Sequence, residues 1–446
     1  MSDFLTTPGN WPTVLLARVA AIAADPSDLD AAVRAGAFGS LRTAVRDLGA
    51  TGIIATIAGS GLRGRGGAGF PTGEKWRAAA AQPALQRYVI ANGYGADPAV
   101  RTDQALLAAD PWSVIEGLAI AAFAVGATEA ILAVRGDEPA LVTMLEGAVL
   151  AAEEAGFLGE DAAGSGHRIT VTVRTVQGAY MLGEETVLIR ALEGKRGQPD
   201  QRPPYPTEKG LFDKPTVVNN VQTLAAVPWI VTNGGDAFMA IGNPDAPGTV
   251  LVQLRGPEGG GIAEVPLGIP LRELVQLAGG TGGHALKAVL VGGPTGGLLP
   301  ADLLDTPYEF DALAAAGAHI GSGSVVVADE RACIVDLARL LTKFSADNAC
   351  GKSIPCRIGL RRLYEIGDRI AAGTPKPTDP ALLGDLAHDI AASALCDHER
   401  LATLPFTSAM RYFRSELDDH LLRSTCPAGV CTPIAVGAGA TAAGSR

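Results

Sequence analysis

Two groups of residues could carry chemistry. The first is the run GLRGRGGAGFPTGEKW at residues 61–76, where six of sixteen positions are glycine. So few Cβ atoms let backbone N–H groups approach a ligand closely and adopt positive φ. Arg63, Arg65 and Lys75 add positive charge, so the loop suits an anion such as a phosphate or pyrophosphate. The spacing Gly64-x-Gly66-x-x-Gly69 fits a dinucleotide fingerprint, a weak signal by itself, and a flexible surface loop is the plain alternative. The second group is the cysteines. All six (Cys333, Cys350, Cys356, Cys396, Cys426 and Cys431) lie after residue 330. Disulfides stapling a secreted fold would not leave the first three quarters of the chain without any, so the clustering points to metal or cluster ligation.

These residues need a scaffold. The 446 residues are 47% apolar and 19% charged, enough for two to four domains with substantial cores. A net charge of −11 with no basic stripe argues against a nucleic-acid partner. The opening MSDFLTTPGNWP has no charged segment leading into an apolar one, so no secretory signal is expected. The longest apolar stretch, Leu118 to Ala127, is too short to span a bilayer. The expectation is a cytoplasmic protein that meets a membrane only indirectly, at its inner face, through a complex.

Residues 1–50 read as helices. From residue 61 to about 240, strand-like runs (Tyr88–Ala91, Ala130–Val134, Ile169–Val176) alternate with helical ones such as Trp112–Ala127, which predicts an α/β layer structure. Short strands Thr249–Leu254, Ala263–Pro266 and Ala288–Val291 around a helix Leu271–Ala278 suggest a small β-grasp-like module. Helices are then expected over Cys333–Phe344, Cys356–Ala372, Pro380–Ala394 and Ser408–Leu421, forming a bundle that carries the cysteines. The expected boundaries are 1–245, 246–328, 329–432 and a disordered, Gly/Ala/Ser-rich tail at 433–446.

Several blocks occur in one order: the glycine loop, Asn92, Gly178–Thr186 (GAYMLGEET), Leu192–Pro199, Pro203–Pro206, Pro215–Thr223 (PTVVNNVQT), Cys350–Gly359 (CGKSIPCRIG) and Cys396. Over roughly residues 30–432 the chain resembles the NADH-binding flavoprotein subunit of respiratory complex I and the related subunits of NAD-dependent formate dehydrogenases and bifurcating hydrogenases. The resemblance implies a Rossmann-like domain whose one cavity takes flavin mononucleotide (FMN) and NADH, followed by a soluble-ligand-binding β-grasp (SLBB) module of mainly structural role. It implies that Gly64, Arg65, Gly66, Gly67, Ala68 and Lys75 line the flavin and nicotinamide pocket, and that Phe70 and Tyr205 stack on the nicotinamide nucleotide. Asn92, Tyr180, Gly183, Glu184, Asn219, Asn220 and Thr223 would hold FMN. Glu185 would face the adenosine ribose and disfavour the 2′-phosphate of NADPH by like-charge repulsion. An ordinary turn at Asn219-Asn220 and a solvated helix start at Glu184-Glu185 are the plainer readings.

The resemblance also implies one [4Fe-4S] cluster on Cys350, Cys356 and Cys396. Ser353 stands where the family has a cysteine. Serine is a harder ligand than thiolate, so a four-iron cluster with Ser353 or an external ligand, a three-iron cluster, and no cluster are all open. The intact CGKSIPCRIG frame favours retention. Cys426 and Cys431 form a separate pair, too few to ligate a cluster alone, and Cys333 reads as a core residue. Tyr94 and Gly95 replace a family acidic pair, and Asp97 stands where a glutamate is usual. The expected activity is that of a diaphorase subunit: hydride from NADH to FMN, then single electrons through the cluster to a thioredoxin-like [2Fe-2S] or other electron-transfer subunit. An FMN-containing adaptor fed by ferredoxin or a membrane reductase is the alternative, and a scaffold stripped of redox groups a third.

Overall fold

The computed structural model describes residues 5–9 and 11–431; the expected tail at 433–446 lies outside the described residues. The β-branched runs form a four-stranded, wholly parallel sheet. Its spatial order is Thr170–Val176, Glu129–Arg135, Tyr88–Gly93, Thr216–Asn220. Three strands advance in one direction, and the fourth returns to the far side of Tyr88–Gly93. Such a reversal leaves a crevice beyond the carboxyl ends of Tyr88–Gly93 and Thr216–Asn220, where α/β sheets bind ligands. The register pairs Asn92 with Asn220 at that edge. Thr216–Asn220 is a strand that alternation alone did not predict, because five residues ending in two asparagines read as a turn.

The longest apolar stretch is a core helix, Pro111–Val125. Asp110 caps it by accepting the Ser113 N–H at 3.1 Å, Pro111 fits the first turn, and Gly126 ends it in the left-handed region. Every residue of this helix except Phe123 is buried, which accounts for its composition without a bilayer. Among the described residues no single helix is long and apolar enough to cross a membrane.

A second, mixed sheet of six strands follows, in the order Leu5–Thr6, Gly260–Pro266, Thr249–Arg255, Ser324–Asp329, Leu286–Val291, Gly297–Pro300. Its first strand comes from the start of the chain and pairs parallel with Ile262–Ala263. Fully buried Glu264 reinforces this join. Its carboxylate accepts the backbone N–H groups of Val14 (2.8 Å), Leu15 (2.8 Å) and Leu16 (3.0 Å), and the Thr249 hydroxyl at 2.5 Å.

The remainder is helical. Ile334–Asp347, Arg361–Ala371 and Asp379–Ala392 agree with the expected helices to within a few residues, with Pro355–Leu360 a wider turn leading into the second. The single helix expected at Ser408–Leu421 is instead two, Leu404–Tyr412 and Arg414–Arg423, broken at Phe413. Leu404–Tyr412 docks on the second sheet, where Ser408 Oγ accepts the Leu298 N–H at 2.9 Å.

Candidate functional site

The glycine loop stands over the crevice. It is closed at its base, where the Gly64 N–H donates to Phe70 O at 2.9 Å and the Thr72 N–H to Leu62 O at 2.9 Å. Two glycines are required by packing. A Cβ on Gly67 (φ +104°) would lie 2.9 Å from Gly321 O, and one on Gly69 (φ +63°) 2.6 Å from the Phe310 ring. Gly66 and Ala68 face solvent, and the nearest atom to a Gly66 Cβ would be Asn220 Cβ at 3.5 Å, so the crevice side of the loop is open to a ligand.

Arg65 differs from the expected cofactor contact. It is buried, and its guanidinium donates to Thr249 O (3.0 Å), Arg63 O (2.9 Å) and Pro247 O (2.6 Å), while its backbone N–H donates to Thr223 Oγ1 at 2.8 Å. Burial, with the nearby Arg63 charge, lowers its pKa to about 9, which leaves it charged at neutral pH. Arg65 and Thr223 therefore fix the loop's position, with each guanidinium nitrogen bonded to a backbone carbonyl.

The two asparagines divide in role. Asn220 caps the helix Val221–Asn233: its Oδ1 accepts the Gln222 N–H at 2.8 Å and its Nδ2 donates to Asp103 at 2.7 Å, so the turn-like reading describes its side chain. Asn219 Oδ1 accepts from the buried Trp76 indole at 2.9 Å, which orients the amide and leaves its NH2 group as a donor. Trp76 is a positioning residue that motif reading passed over. Its only sequence signal is its place at the end of the glycine run. Asn92 bridges to Gly183 O at 3.4 Å and accepts the Tyr94 N–H at 3.2 Å.

At the other wall, Glu184 caps the helix Glu185–Leu192, with Oε2 accepting the N–H groups of Thr186 and Val187, both at 2.9 Å. Burial pushes its carboxyl above the usual range. Glu185 is flanked by two cations, Lys75 Nζ at 2.9 Å and Arg202 Nη1 at 3.1 Å. Phe70 and Tyr205 are both about half exposed, and Lys75 Nζ stands over the Phe70 ring, 5.8 Å from its centre. Asp97 borders this group: the Cβ of its neighbour Ala96 lies 3.1 Å from where a Cβ on Gly183 would stand. Asp97 is buried, accepts from Ser322 Oγ and from the Ala99 N–H, both at 2.9 Å, and joins the loop after Tyr88–Gly93 to the second sheet. Its carboxyl is raised by burial.

Beyond this wall lies a second hollow, lined by Met181, Cys350, Ser353, Cys356, Cys396 and Glu399. Ser353 Oγ donates to buried Glu399 Oε1 at 2.6 Å, and Glu399 Oε2 accepts the Leu395 N–H at 2.9 Å. Burial pushes the thiols of Cys356 and Cys396 up to about 12 and about 11, values that bound cations would reverse. These three sulfurs are not among the described side chains whose ligand atoms converge within 4.8 Å of one another. Tyr180 joins the two sites. Its ring packs 5.6 Å from His398 and 5.3 Å from Phe344, and burial raises its hydroxyl to about 12.

Cys333 is buried in the core, as expected, and it also meets the pair Cys426 and Cys431. The three sulfurs and His420 lie within 4.8 Å of one another.

A parallel sheet with a glycine-rimmed crevice at its switch point, next to a thiol-lined hollow, defines a nucleotide-binding α/β electron-transfer protein. Residues 57–229 match the Nuo51 FMN-binding domain, and residues 336–420 match the NADH-ubiquinone oxidoreductase-F iron-sulfur binding region. The chain is 43% identical over 385 residues to the HndC subunit of the NADP-reducing hydrogenase of Solidesulfovibrio fructosivorans, covering 86% of this chain and 78% of that protein. It is 39% identical over 424 residues to the F subunit of the NADH-quinone oxidoreductase of Streptomyces coelicolor, covering 94% of each. Among solved structures, the NAD+-reducing [NiFe]-hydrogenase in the H2-reduced state aligns with a TM-score of 0.81 and 32% identity, over 94% of this chain and 68% of that one. The chain therefore belongs to the family of NADH-binding flavoprotein subunits. It is an FMN-dependent NADH oxidoreductase subunit with an iron–sulfur region.

Proposed function

We propose that the crevice between Gly66, Ala68, Asn92 and Asn219 holds FMN, that Phe70 and Tyr205 sandwich the incoming NADH, and that Cys350, Cys356 and Cys396 with Ser353 hold a [4Fe-4S] cluster. The observation that carries this reading is the junction at Tyr180 and Met181, one helical turn that borders the crevice through Gly183 and the thiol hollow through Met181 and His398. Held there, FMN would supply hydride acceptance from NADH and single-electron release toward the cluster, chemistry that belongs to the cofactors.

The protein's own contribution is placement. Trp76 fixes the Asn219 amide as a donor, Arg65 and Thr223 fix the loop, and backbone N–H groups of that loop face the phosphate. Lys75 and Arg202 hold the Glu185 carboxylate toward the ribose. They also offset its charge, so its discrimination against a 2′-phosphate is modest. Glu399, hydrogen-bonded to Ser353, orients that hydroxyl as the fourth ligand.

Residues 246–328 are read as an SLBB-like β-grasp unit between a flavin domain at 1–245 and an iron–sulfur domain at 329–432. The relatives named above are subunits of larger enzymes, and this chain is assigned a partner of the same kind, a thioredoxin-like [2Fe-2S] or other electron-transfer subunit. Exposed Ile354 and Ile358, on either side of Cys356, supply apolar contact area for it beside the electron exit. Cytoplasmic placement, with the membrane reached only through that complex, accompanies this reading.

The test is anaerobic mixing of protein reconstituted with FMN, iron and sulfide against NADH. Bleaching of the flavin band followed by reduction of the cluster is expected. A flavin that stays oxidised with NADH but bleaches with reduced ferredoxin would move the assignment to the adaptor alternative.

A further inference from the structure

We propose that Thr295 and His319, two residues on turns of the second sheet, are positioning residues for the passage of electrons from the crevice to the thiol hollow, and that they act through Tyr180. The inference rests on the cofactor assignments made above. Tyr180 opens the helical turn Tyr180–Gly183 that borders both sites. Its ring stands edge-on to Phe344 at 5.3 Å and tilted against His398 at 5.6 Å. Among the described residues, the one hydrogen bond of its side chain is to Thr295 Oγ1, long at 3.4 Å. Buried Thr295 is held in turn by His319, whose Nε2 lies 3.0 Å from Thr295 O and 3.3 Å from Thr295 Oγ1. A carbonyl only accepts, so Nε2 carries the proton and donates. With that N–H facing Oγ1, the hydrogen of the threonine hydroxyl turns away from the imidazole, toward Tyr180.

The turns that carry the two residues have little room to shift. Gly292 has a φ of +104°, and a Cβ there would stand 2.5 Å from His319 O and 3.0 Å from His319 Nε2. The Gly292 N–H donates to Ser324 O at 3.0 Å, and the Gly296 N–H to Gly293 O at 2.9 Å. The same turns press on the crevice at other points. Ser322 Oγ donates to Asp97 at 2.9 Å, a Cβ on Gly293 would run into that carboxylate, and Gly321 O is the atom that leaves no space for a Cβ on Gly67. The second sheet thus meets the flavin side at the glycine loop, at Asp97 and at Tyr180, and Tyr180 carries that contact on to His398, which lines the hollow.

Electron passage between two centres falls steeply as the gap between them widens, so a ring in that gap matters for its place more than for the strength of its one hydrogen bond. The hydride of NADH brings two electrons; they leave one at a time toward the cluster, and the accompanying proton goes to water. Tyr180, Thr295 and His319 are neither oxidised nor deprotonated in the process. Without the Thr295 hydroxyl, only ring contacts hold Tyr180, and the turn Tyr180–Gly183 can settle differently against the hollow. A misplacement of about 1 Å at a reacting geometry costs up to about 100-fold in rate. Loss of this contact should therefore slow the crevice-to-hollow step by roughly tenfold or more and leave hydride transfer untouched.

The experiment is rapid anaerobic mixing of the full chain, loaded with FMN, iron and sulfide, with NADH. Flavin absorbance reports the first step, and the paramagnetic signal of rapidly frozen samples reports cluster reduction. Thr295→Val keeps the side chain's shape and loses the hydroxyl, so bleaching should keep its wild-type rate while cluster reduction slows about tenfold. His319→Leu should slow the same phase. Thr295→Ser and His319→Gln, which retain the hydroxyl and an N–H donor, should recover most of the rate. The midpoint potentials of flavin and cluster should not move, because the change is one of position. The proposal is overturned if cluster reduction keeps its wild-type rate in Thr295→Val and His319→Leu, if both phases slow together, or if Thr295→Ser is as slow as Thr295→Val. Should Thr295→Val fail to fold, Tyr180→Phe removes the same hydrogen bond from the other side, and an unslowed cluster phase there refutes the role. A wild-type flavin that stays oxidised refutes the cofactor assignment and this proposal with it; a failure confined to the variants refutes this proposal alone.

Discussion

Gly69→Ala tests whether the glycine loop is held in shape by its packing. The new Cβ would sit 2.6 Å from Phe310 Cδ1, about 1 Å inside ordinary contact, at a φ of +63°. Placing alanine in the left-handed region costs about 1–2 kcal/mol, and overpacking a fitted contact costs about 1–3 kcal/mol. The strain of roughly 2–5 kcal/mol relaxes if the loop lifts away from the crevice, and flavin binding must then restore it. At about 1.4 kcal/mol per decade, FMN affinity should fall at least about 30-fold.

Titrating flavin-free protein with FMN and following quenching of flavin fluorescence measures this directly. Phe310→Leu added to Gly69→Ala removes the ring and leaves only the backbone term, so roughly a decade or more of affinity should return. Retention of wild-type affinity in Gly69→Ala would show that the loop does not shape the flavin site. Loss of affinity without any recovery in the double variant would show that Phe310 is not the wall it meets.

The other predictions concern the supporting residues. Glu264→Ala leaves three backbone N–H groups and a buried hydroxyl without an acceptor, so stability should fall by about 3–5 kcal/mol in chemical denaturation; a change under 1 kcal/mol would rule out the carboxylate as the join. Ser353→Ala removes the hydroxyl that Glu399 orients, so iron content should fall below about four per chain and the low-temperature signal of the reduced cluster should change, and an unchanged iron count and signal would mean that position 353 is not a ligand. Glu185→Gln removes a charge already flanked by Lys75 and Arg202, so kcat/KM for NADPH relative to NADH should rise only about three- to tenfold, near 1 kcal/mol. A rise of several hundredfold would mean that the two cations do not offset Glu185.

Regular elements were legible where periodicity is strong. The strands Glu129–Arg135 and Thr170–Val176 and the helix Pro111–Val125 follow from β-branched runs and from a capped apolar stretch bounded by Asp110-Pro111 and Gly126. Cross-chain contacts were not legible. Arg65 and Lys75 are both cations in one loop, yet Arg65 is buried on carbonyls from residues 63, 247 and 249 while Lys75 reaches Glu185. Nothing local in the sequence separates them. Cys333 and Cys431 are 98 positions apart, so their meeting depends on how the helices cross, which spacing does not encode. The break at Phe413 was missed because neither proline nor glycine marks it.

The grip of Glu264 on residues 14–16 has a consequence for synthesis. Those hydrogen bonds span 248–250 positions, so the opening segment leaves the ribosome long before its acceptor exists. At about 5–20 residues per second that interval is roughly 12–50 s. For that time the backbone N–H groups of Val14, Leu15 and Leu16 lack their carboxylate, and the six-stranded sheet can close only after its last strand is made.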